Sequence, residues 1–273
     1  MNKPHIVKTG RNLAGRGELA SRVISALVLL AIILAASWAG DWLFLILCVA
    51  LSAVVFYEWH GLVSRTAFDM PEALLTAGFI ALVVSVVTGW FVVVGIAFLV
   101  LGLILELTHH GDERSDVRWM GLGALYCVIP VATLPFIREH GGLGLLLLLY
   151  FSVWATDVVA YFAGRQFGGP KLMPSVSPKK TWSGALGGVA GAVIIGIVFA
   201  NLDGQYSLAV SVGMAIMLSV FCQIGDLFES WVKRMVGAKD SSALIPGHGG
   251  FLDRVDGLVA AAVPVAVFVA MSI

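Results

Sequence analysis

Nine stretches of mostly apolar residues, each close to the length that a helix needs to cross a bilayer, dominate this sequence. They cover approximately residues 23–40, 41–57, 73–89, 90–106, 119–136, 143–163, 184–202, 207–228 and 257–273. Backbone N–H and C=O groups cannot stay unpaired in hydrocarbon, so apolar spans fold as helices that pair them internally. Only 12% of the residues are charged, whereas soluble domains have about 25%. The chain is therefore predicted to be an all-α, polytopic integral membrane protein with about nine transmembrane helices.

The positively charged residues predict the orientation of these spans, because cytoplasmic segments carry an excess of Lys and Arg. With a cytoplasmic N-terminus, 16 of the 17 Lys and Arg residues fall inside, and only Arg138 falls outside. The first span is expected to be retained rather than cleaved as a signal peptide, because it follows a basic region of 22 residues.

This topology divides the chain into three regions. Residues 1–22 form a basic cytoplasmic segment, 23–140 form N-terminal transmembrane helices, and 141–273 form a C-terminal transmembrane part. The C-terminal part contains two glycine-rich basic loops, 164–183 and 229–256, that are predicted to face the same compartment. The catalytic and substrate-binding residues are therefore expected in the C-terminal part.

The sixth span ends in TDVVAYFAGRQFGG, which places Asp157, Tyr161 and Arg165 along one helical face. A carboxylate within a span is costly and usually faces a polar cavity, so Asp157 is a candidate functional residue. The alternative is a structural pairing of Asp157 with the arginine or the tyrosine.

The segment SPKKTWSGALGG, residues 177–188, precedes the seventh span. Lys179 and Lys180 beside a helix N-terminus are typical of a phosphate-binding site, since free amides and the helix dipole both attract anions. The alternative is that the two lysines only mark the cytoplasmic side and that the neighbouring glycines serve close helix packing. These glycines are Gly184, Gly187, Gly188 and Gly191.

The eighth span ends with two acids and a lysine on one face, Asp226, Glu229 and Lys233, with Ser230 beside them. Two acids at the end of one span carry a high desolvation cost, which indicates a functional role.

A second pair of acids follows the sequence PGHGG. Asp253 and Asp256 stand three residues apart, with Arg254 between them. Carboxylates close to lysines and arginines indicate a Mg²⁺ ion that is held by one or two protein oxygens and by phosphate oxygens. Replacing Asp253 by Asn is expected to leave stability near wild type, because the change removes a desolvation cost as well as a contact.

The complete spacing is more specific than any of these features. From Ser230 to Asp256 the chain reads SWVKRMVGAKDSSALIPGHGGFLDRVD. This stretch resembles the signature of the phosphatidate cytidylyltransferases, or CDP-diacylglycerol synthases. The resemblance extends to DVVAYFAGRQFGG, SPKKTWSG and GDLFES, and so covers roughly residues 150 to 260.

The resemblance implies a nucleotidyltransferase of the inner membrane whose active site faces the cytoplasm. Its substrates would be CTP and phosphatidic acid, and its products CDP-diacylglycerol and pyrophosphate. The resemblance also implies contact with membrane lipid and no nucleic-acid partner, and it leaves a homodimer open. The alternative from another class is a polytopic transporter or ion-coupled carrier, which also uses intramembrane acids.

The resemblance also assigns roles to residues of this sequence. Asp226 and Asp253 are expected to hold Mg²⁺, and a second cation is left open. The expected catalytic residues are Asp226, Asp253, Asp256, Lys233 and His248. The expected substrate-binding residues are Asp157, Tyr161, Arg165, Lys179, Lys180, Ser230, Arg234, Lys239, Asp240 and Arg254. His248 has an alternative role as the cap of the glycine-rich turn.

Overall fold

The structure is a computed structural model that describes residues 27–63, 70–88, 113–238, 240–242 and 250–273, with single positions at 97, 100 and 104. Within those residues the chain forms eight α-helices and one short hairpin. The helices are α1 Leu27–Ala39, α2 Asp41–Val63, α3 Met70–Thr88, α4 Glu113–Phe136, α5 Gly142–Phe167, α6 Trp182–Leu202, α7 Leu208–Met235 and α8 Leu252–Ser272.

Several of these helices are long and apolar enough to cross a membrane. The qualifying segments are Asp41–Val63, Trp119–Phe167, Trp182–Leu202, Leu208–Met235 and Leu252–Ser272. The longest of them runs from within α4 to the end of α5. The π-helical turn Ile137–Gly141 joins the two helices, and α5 begins at Gly142, which has a φ of +82°. The prediction of an all-α membrane protein is confirmed. The count of nine spans stays a prediction, because the span at 90–106 lies almost wholly outside the described residues.

One element was not predicted from the sequence. Between α5 and α6, β1 (Lys171–Met173) and β2 (Ser177–Thr181) pair as an antiparallel hairpin. In the sequence this region reads as a loop because the strands are short and rich in Lys, Pro and Ser. The hairpin carries Lys179 and Lys180 on its second strand, immediately before α6.

The helices pack in chain order in the C-terminal half, with α5 against α6, α6 against α7 and α7 against α8. In the N-terminal half, α4 packs against α2 and α3, and it also contacts α8. The buried apolar residues form two clusters. One includes Ile137 and Val269, and the other includes Trp59, Val232 and Leu252. The candidate site lies at the end of the bundle where the second cluster is found.

Glycines bring α5 and α6 into close contact. A Cβ atom on Gly187 would lie 2.4 Å from Cβ of Ala163, and one on Gly191 would lie 2.7 Å from Cγ2 of Val159. The amide of Gly184 is already used, because it donates to Oγ1 of Thr181 at 3.1 Å in the N-cap of α6. The packing interpretation of these glycines therefore agrees with the structure.

Candidate active site

A cavity of about 540 Å³ opens between α5, the hairpin, α6, α7 and the start of α8. Most of the candidate residues identified from the sequence line it. They are Asp157, Tyr161, Arg165, Lys179, Lys180, Asp226, Lys233, Asp253, Arg254 and Asp256. Tertiary structure thus brings together residues that are separated by as much as a hundred positions in the chain.

On one wall, β2 faces the C-terminal half of α7. Nζ of Lys180 makes an ion pair with Oδ2 of Asp226. Ser230, one turn further along α7, donates its hydroxyl to Oδ1 of the same aspartate at 3.4 Å. The side chains of Lys180 and Asp226 remain 27% and 36% exposed, so both are accessible to a ligand in the cavity.

Two turns further along the same face of α7, Lys233 joins α7 to α8. Its Nζ lies 2.5 Å from Oε2 of Glu229 and 2.5 Å from Oδ1 of Asp253. Oδ2 of Asp253 accepts three further hydrogen bonds, from N and Oγ of Ser241 and from N of Gly250, at 3.0–3.1 Å. Asp253 is therefore fixed by residues on both sides of the segment 242–249, which we call the signature loop.

Asp157 and Asp256, two of the four other acids that line the cavity, have different hydrogen-bond donors. Asp157 accepts from Sγ of Cys222 at 3.7 Å, and Asp256 accepts from the amide of Gly257 at 2.8 Å. Asp157, Asp226 and Asp256 are close enough to interact electrostatically. Like charges in one cavity repel each other, and a bound cation relieves that repulsion.

The chemistry of these donors fits a magnesium ion. Carboxylate oxygens suit Mg²⁺, which proteins usually bind through one or two carboxylates together with substrate phosphates and water. Within the described part of the chain, no three His, Cys, Asp or Glu side chains converge on a preformed metal site. The carboxylates of the cavity would suit such an ion if the phosphate groups of a ligand complete its coordination.

One face of α5 forms part of the cavity wall. Asp157, Tyr161 and Arg165 all line it, and Nη1 of Arg165 donates to the hydroxyl of Tyr161 at 3.2 Å. The hydrogen bond of Asp157 is with Cys222.

Three predicted substrate-binding residues, Ser230, Arg234 and Asp240, lie outside the described wall of the cavity. Arg234 donates to the carbonyl oxygens of Val176 and Ala238, at 3.3 and 2.9 Å, and so ties the hairpin to the end of α7. This contact also places the two basic loops at the same end of the bundle. Asp240 is exposed. Lys239 and His248 lie outside the described residues.

Sequence reasoning missed Glu58 and left Glu229 out of the candidate set. Both carboxylates belong to residues that are only 1% exposed. Glu229 lines the cavity and pairs with Lys233, as its position one turn from Asp226 indicates. Glu58 lies at the end of an apolar run in the N-terminal half, and that position was its only signal in the sequence.

Comparison with known proteins identifies relatives along almost the whole chain. The sequence pattern of the family described as "Cytidylyltransferase family" matches residues 20–272. A phosphatidate cytidylyltransferase of Brucella abortus is 41% identical over 250 residues, which cover 90% of this chain and 91% of the relative. Phosphatidate cytidylyltransferases of Haemophilus influenzae and Pseudomonas aeruginosa are 33% and 34% identical, over 89% of this chain and 96% and 94% of their own lengths.

Proposed function

This chain belongs to the cytidylyltransferase family, and we propose that it transfers CMP from CTP to phosphatidic acid, giving CDP-diacylglycerol and pyrophosphate. The chain is a nucleotidyltransferase, because its relatives from several bacteria are phosphatidate cytidylyltransferases. The observation that carries the choice of substrates is the cavity in which Lys180, Lys233 and Arg254 lie beside four aspartates, at one end of an apolar helical bundle. Such a cavity suits a triphosphate that meets a lipid phosphate.

The chemistry needs charge neutralisation and alignment more than covalent help. A phosphate oxygen of phosphatidic acid attacks the α-phosphorus of CTP and forms a new P–O bond. The bond between the α-phosphorus and the bridging oxygen breaks, and pyrophosphate leaves with the electron pair. Lys180 and Lys233 bind phosphate oxygens, and Arg254, which lines the same cavity, has the same role.

The acids of the cavity would hold the metal. Asp226 and Asp253 are its proposed ligands, with Asp256 on the same cavity. Bound Mg²⁺ supplies positive charge that neutralises the triphosphate. The ion pair of Lys180 with Asp226 and that of Lys233 with Asp253 keep these carboxylates inside the cavity.

A transporter would place acids near the middle of the membrane in corresponding positions of two halves. In the described residues, the acids of the cavity come from α5, α7 and α8 and face one end of the bundle. The test is therefore enzymatic. Purified protein in detergent should convert CTP and phosphatidic acid to CDP-diacylglycerol and pyrophosphate without any ion gradient, and only when Mg²⁺ is present. Consumption of CTP that does not depend on phosphatidic acid would exclude this function.

We also propose that the protein lies in the bacterial inner membrane with this cavity facing the cytoplasm, because CTP is a cytoplasmic nucleotide and the basic loops are predicted to be inside. Single cysteines test the orientation in a background without Cys48, Cys127 and Cys222. Ser175→Cys, at the exposed tip of the hairpin, should react only from the cytoplasmic side. Gln205→Cys, between α6 and α7, should react only from outside. Labelling of both from the same side would exclude the topology.

A further inference from the structure

Glu58 is a buried carboxylate in the part of the chain that carries none of the signature residues. It lies near the end of α2, and Trp59 beside it is completely buried in the apolar cluster of that end of the bundle. An ionised carboxylate in such surroundings is strongly destabilising unless it is hydrogen-bonded. The hydrogen-bond partners of Glu58 therefore indicate its role.

Three donors form hydrogen bonds with the carboxylate of Glu58, and the hydroxyl of Ser241 lies close to it. Oε1 accepts from the amide of Phe251 at 2.8 Å and from the hydroxyl of Ser242 at 2.6 Å. Oε2 accepts from the amide of Leu252 at 2.6 Å and lies 3.3 Å from Oγ of Ser241. The two amides belong to the start of α8, and the two hydroxyls belong to the segment that follows α7. A single side chain of α2 thus holds both ends of the signature loop.

Ser241 connects Glu58 to Asp253, the proposed metal ligand. Oγ of Ser241 lies between Oε2 of Glu58 and Oδ2 of Asp253, at 3.3 and 3.0 Å. The amide of Gly250 donates to Oδ2 of Asp253 as well. Both of these contacts therefore depend on where the ends of the loop lie.

The packing around Gly250 confirms that the geometry is tight. A Cβ atom there would lie 1.8 Å from Oγ of Ser241 and 2.8 Å from Oε2 of Glu58. The loop can approach Glu58 this closely only because residue 250 has no side chain.

We infer that Glu58 is a positioning residue for the transfer reaction: it fixes Ser241, Gly250 and the start of α8, and through them the orientation of Asp253. This inference rests on the proposed function. Glu58 lies behind Asp253 and is not part of the described wall of the cavity, so it acts without touching substrate. The N-terminal half of the chain thereby contributes directly to the geometry of a site whose reacting groups all come from the C-terminal half.

The experiment compares Glu58→Gln and Ser241→Ala with Glu139→Gln, an exposed carboxylate variant in the π-helical turn between α4 and α5. A misplaced active-site group lowers turnover, so we expect kcat to fall about tenfold or more in both site variants, with the KM for CTP changed less than about twofold. The Glu58→Gln and Ser241→Ala effects should be less than additive in the double variant, since both act through the same contact. Hydrogen exchange should be faster in the segment 250–256 of Glu58→Gln and unchanged in Glu139→Gln.

The outcomes distinguish a failure of the proposed function from a failure of the positioning role. If wild-type protein does not form CDP-diacylglycerol, the proposed function is wrong. If wild type is active and Ser241→Ala keeps wild-type kcat, or Glu58→Gln does, the positioning role is wrong. The role is also wrong if the losses in the two variants simply add. Because Ser241→Ala removes only a hydroxyl, it keeps the test decisive even if Glu58→Gln fails to fold.

Discussion

Nζ of Lys233 lies 2.5 Å from Oδ1 of Asp253, and this ion pair joins the end of α7 to the start of α8 across the signature loop. The lysine side chain is 10% exposed and that of the aspartate 13%. Glu229 shares the same ammonium group at 2.5 Å. Within the described residues, two carboxylates thus share one ammonium group, and all three side chains are largely buried.

Removing the ammonium group of Lys233 should lower the stability of this end of the bundle. Lys233→Met leaves Glu229 and Asp253 buried without their cation, so we expect the free energy of unfolding to fall by about 3 kcal/mol or more. Glu229→Gln should cost clearly less, because Lys233 keeps Asp253 as its partner. Thermal unfolding in detergent measures both. Equal losses in the two variants would contradict the shared ion pair.

Asp253→Asn is expected to lower stability as well as activity, contrary to the expectation from the sequence. All three hydrogen bonds end on Oδ2, so the single amide oxygen of asparagine can keep them only if its nitrogen faces Nζ of Lys233, which then loses an acceptor. We expect a loss of about 1–3 kcal/mol, the cost of leaving a buried group without its partner. A melting temperature equal to that of wild type would contradict the contacts of Asp253.

Asp226→Asn should separate activity from stability. The side chain of Asp226 is 36% exposed and pairs with a partly exposed lysine, so the change should hardly affect the melting temperature. Loss of the charge that would hold Mg²⁺ should slow the reaction about 100-fold, equivalent to about 3 kcal/mol in the transition state. Asp41→Asn is the matched control, because Asp41 is exposed and its φ of 46° suits asparagine. A rate within about threefold of wild type would exclude Asp226 as a ligand.

Lys180→Ala should weaken the use of nucleotide. A hydrogen bond to a charged group contributes about 1.5–3 kcal/mol, so the KM for CTP should rise about tenfold or more. Lys171→Ala is the control, since Lys171 is exposed on the other strand of the hairpin and does not line the cavity. Steady-state kinetics with varied CTP measure the difference. If both variants keep the wild-type KM, Lys180 does not bind the triphosphate.

Gly191→Val should separate α5 from α6. The new Cβ would lie 2.7 Å from Cγ2 of Val159 and 3.0 Å from the carbonyl oxygen of Ala155, and overpacking of this kind costs about 1–3 kcal/mol. Gly213→Val, on the exposed side of α7, introduces the same side chain where nothing lies within 4 Å. We expect a lower melting temperature for Gly191→Val than for Gly213→Val.

Most of the site was predictable because its residues are exceptional in their surroundings. Asp157, Asp226 and Lys233 are charged groups in or beside long apolar runs, and the high cost of such positions identifies them without knowledge of their neighbours. Helical spacing was enough to place Asp157 and Arg165, and Asp226 and Lys233, on common faces. The family signature then connected these faces to one reaction.

The partner of each charged side chain was not predictable from the sequence, because it depends on distances between helices. Arg234 is as basic as Lys233 and follows it directly, yet Arg234 binds main-chain carbonyl oxygens of the hairpin and Lys233 binds two carboxylates in the cavity. Adjacent residues on a helix point in directions about 100° apart, and only the packing decides which direction faces the cavity.

The sequence by itself determined that the chain is a helical membrane protein, which family it resembles, and which residues carry its charge, because each of these follows from composition, period or spacing along the chain. Tertiary structure alone decided that Lys180 meets Asp226, that Lys233 joins Glu229 to Asp253, and that Glu58 of α2 supports a loop about 190 residues away. The physical reason is that a buried charge must find its partners in space, and closeness in space between distant segments is set by how the helices pack.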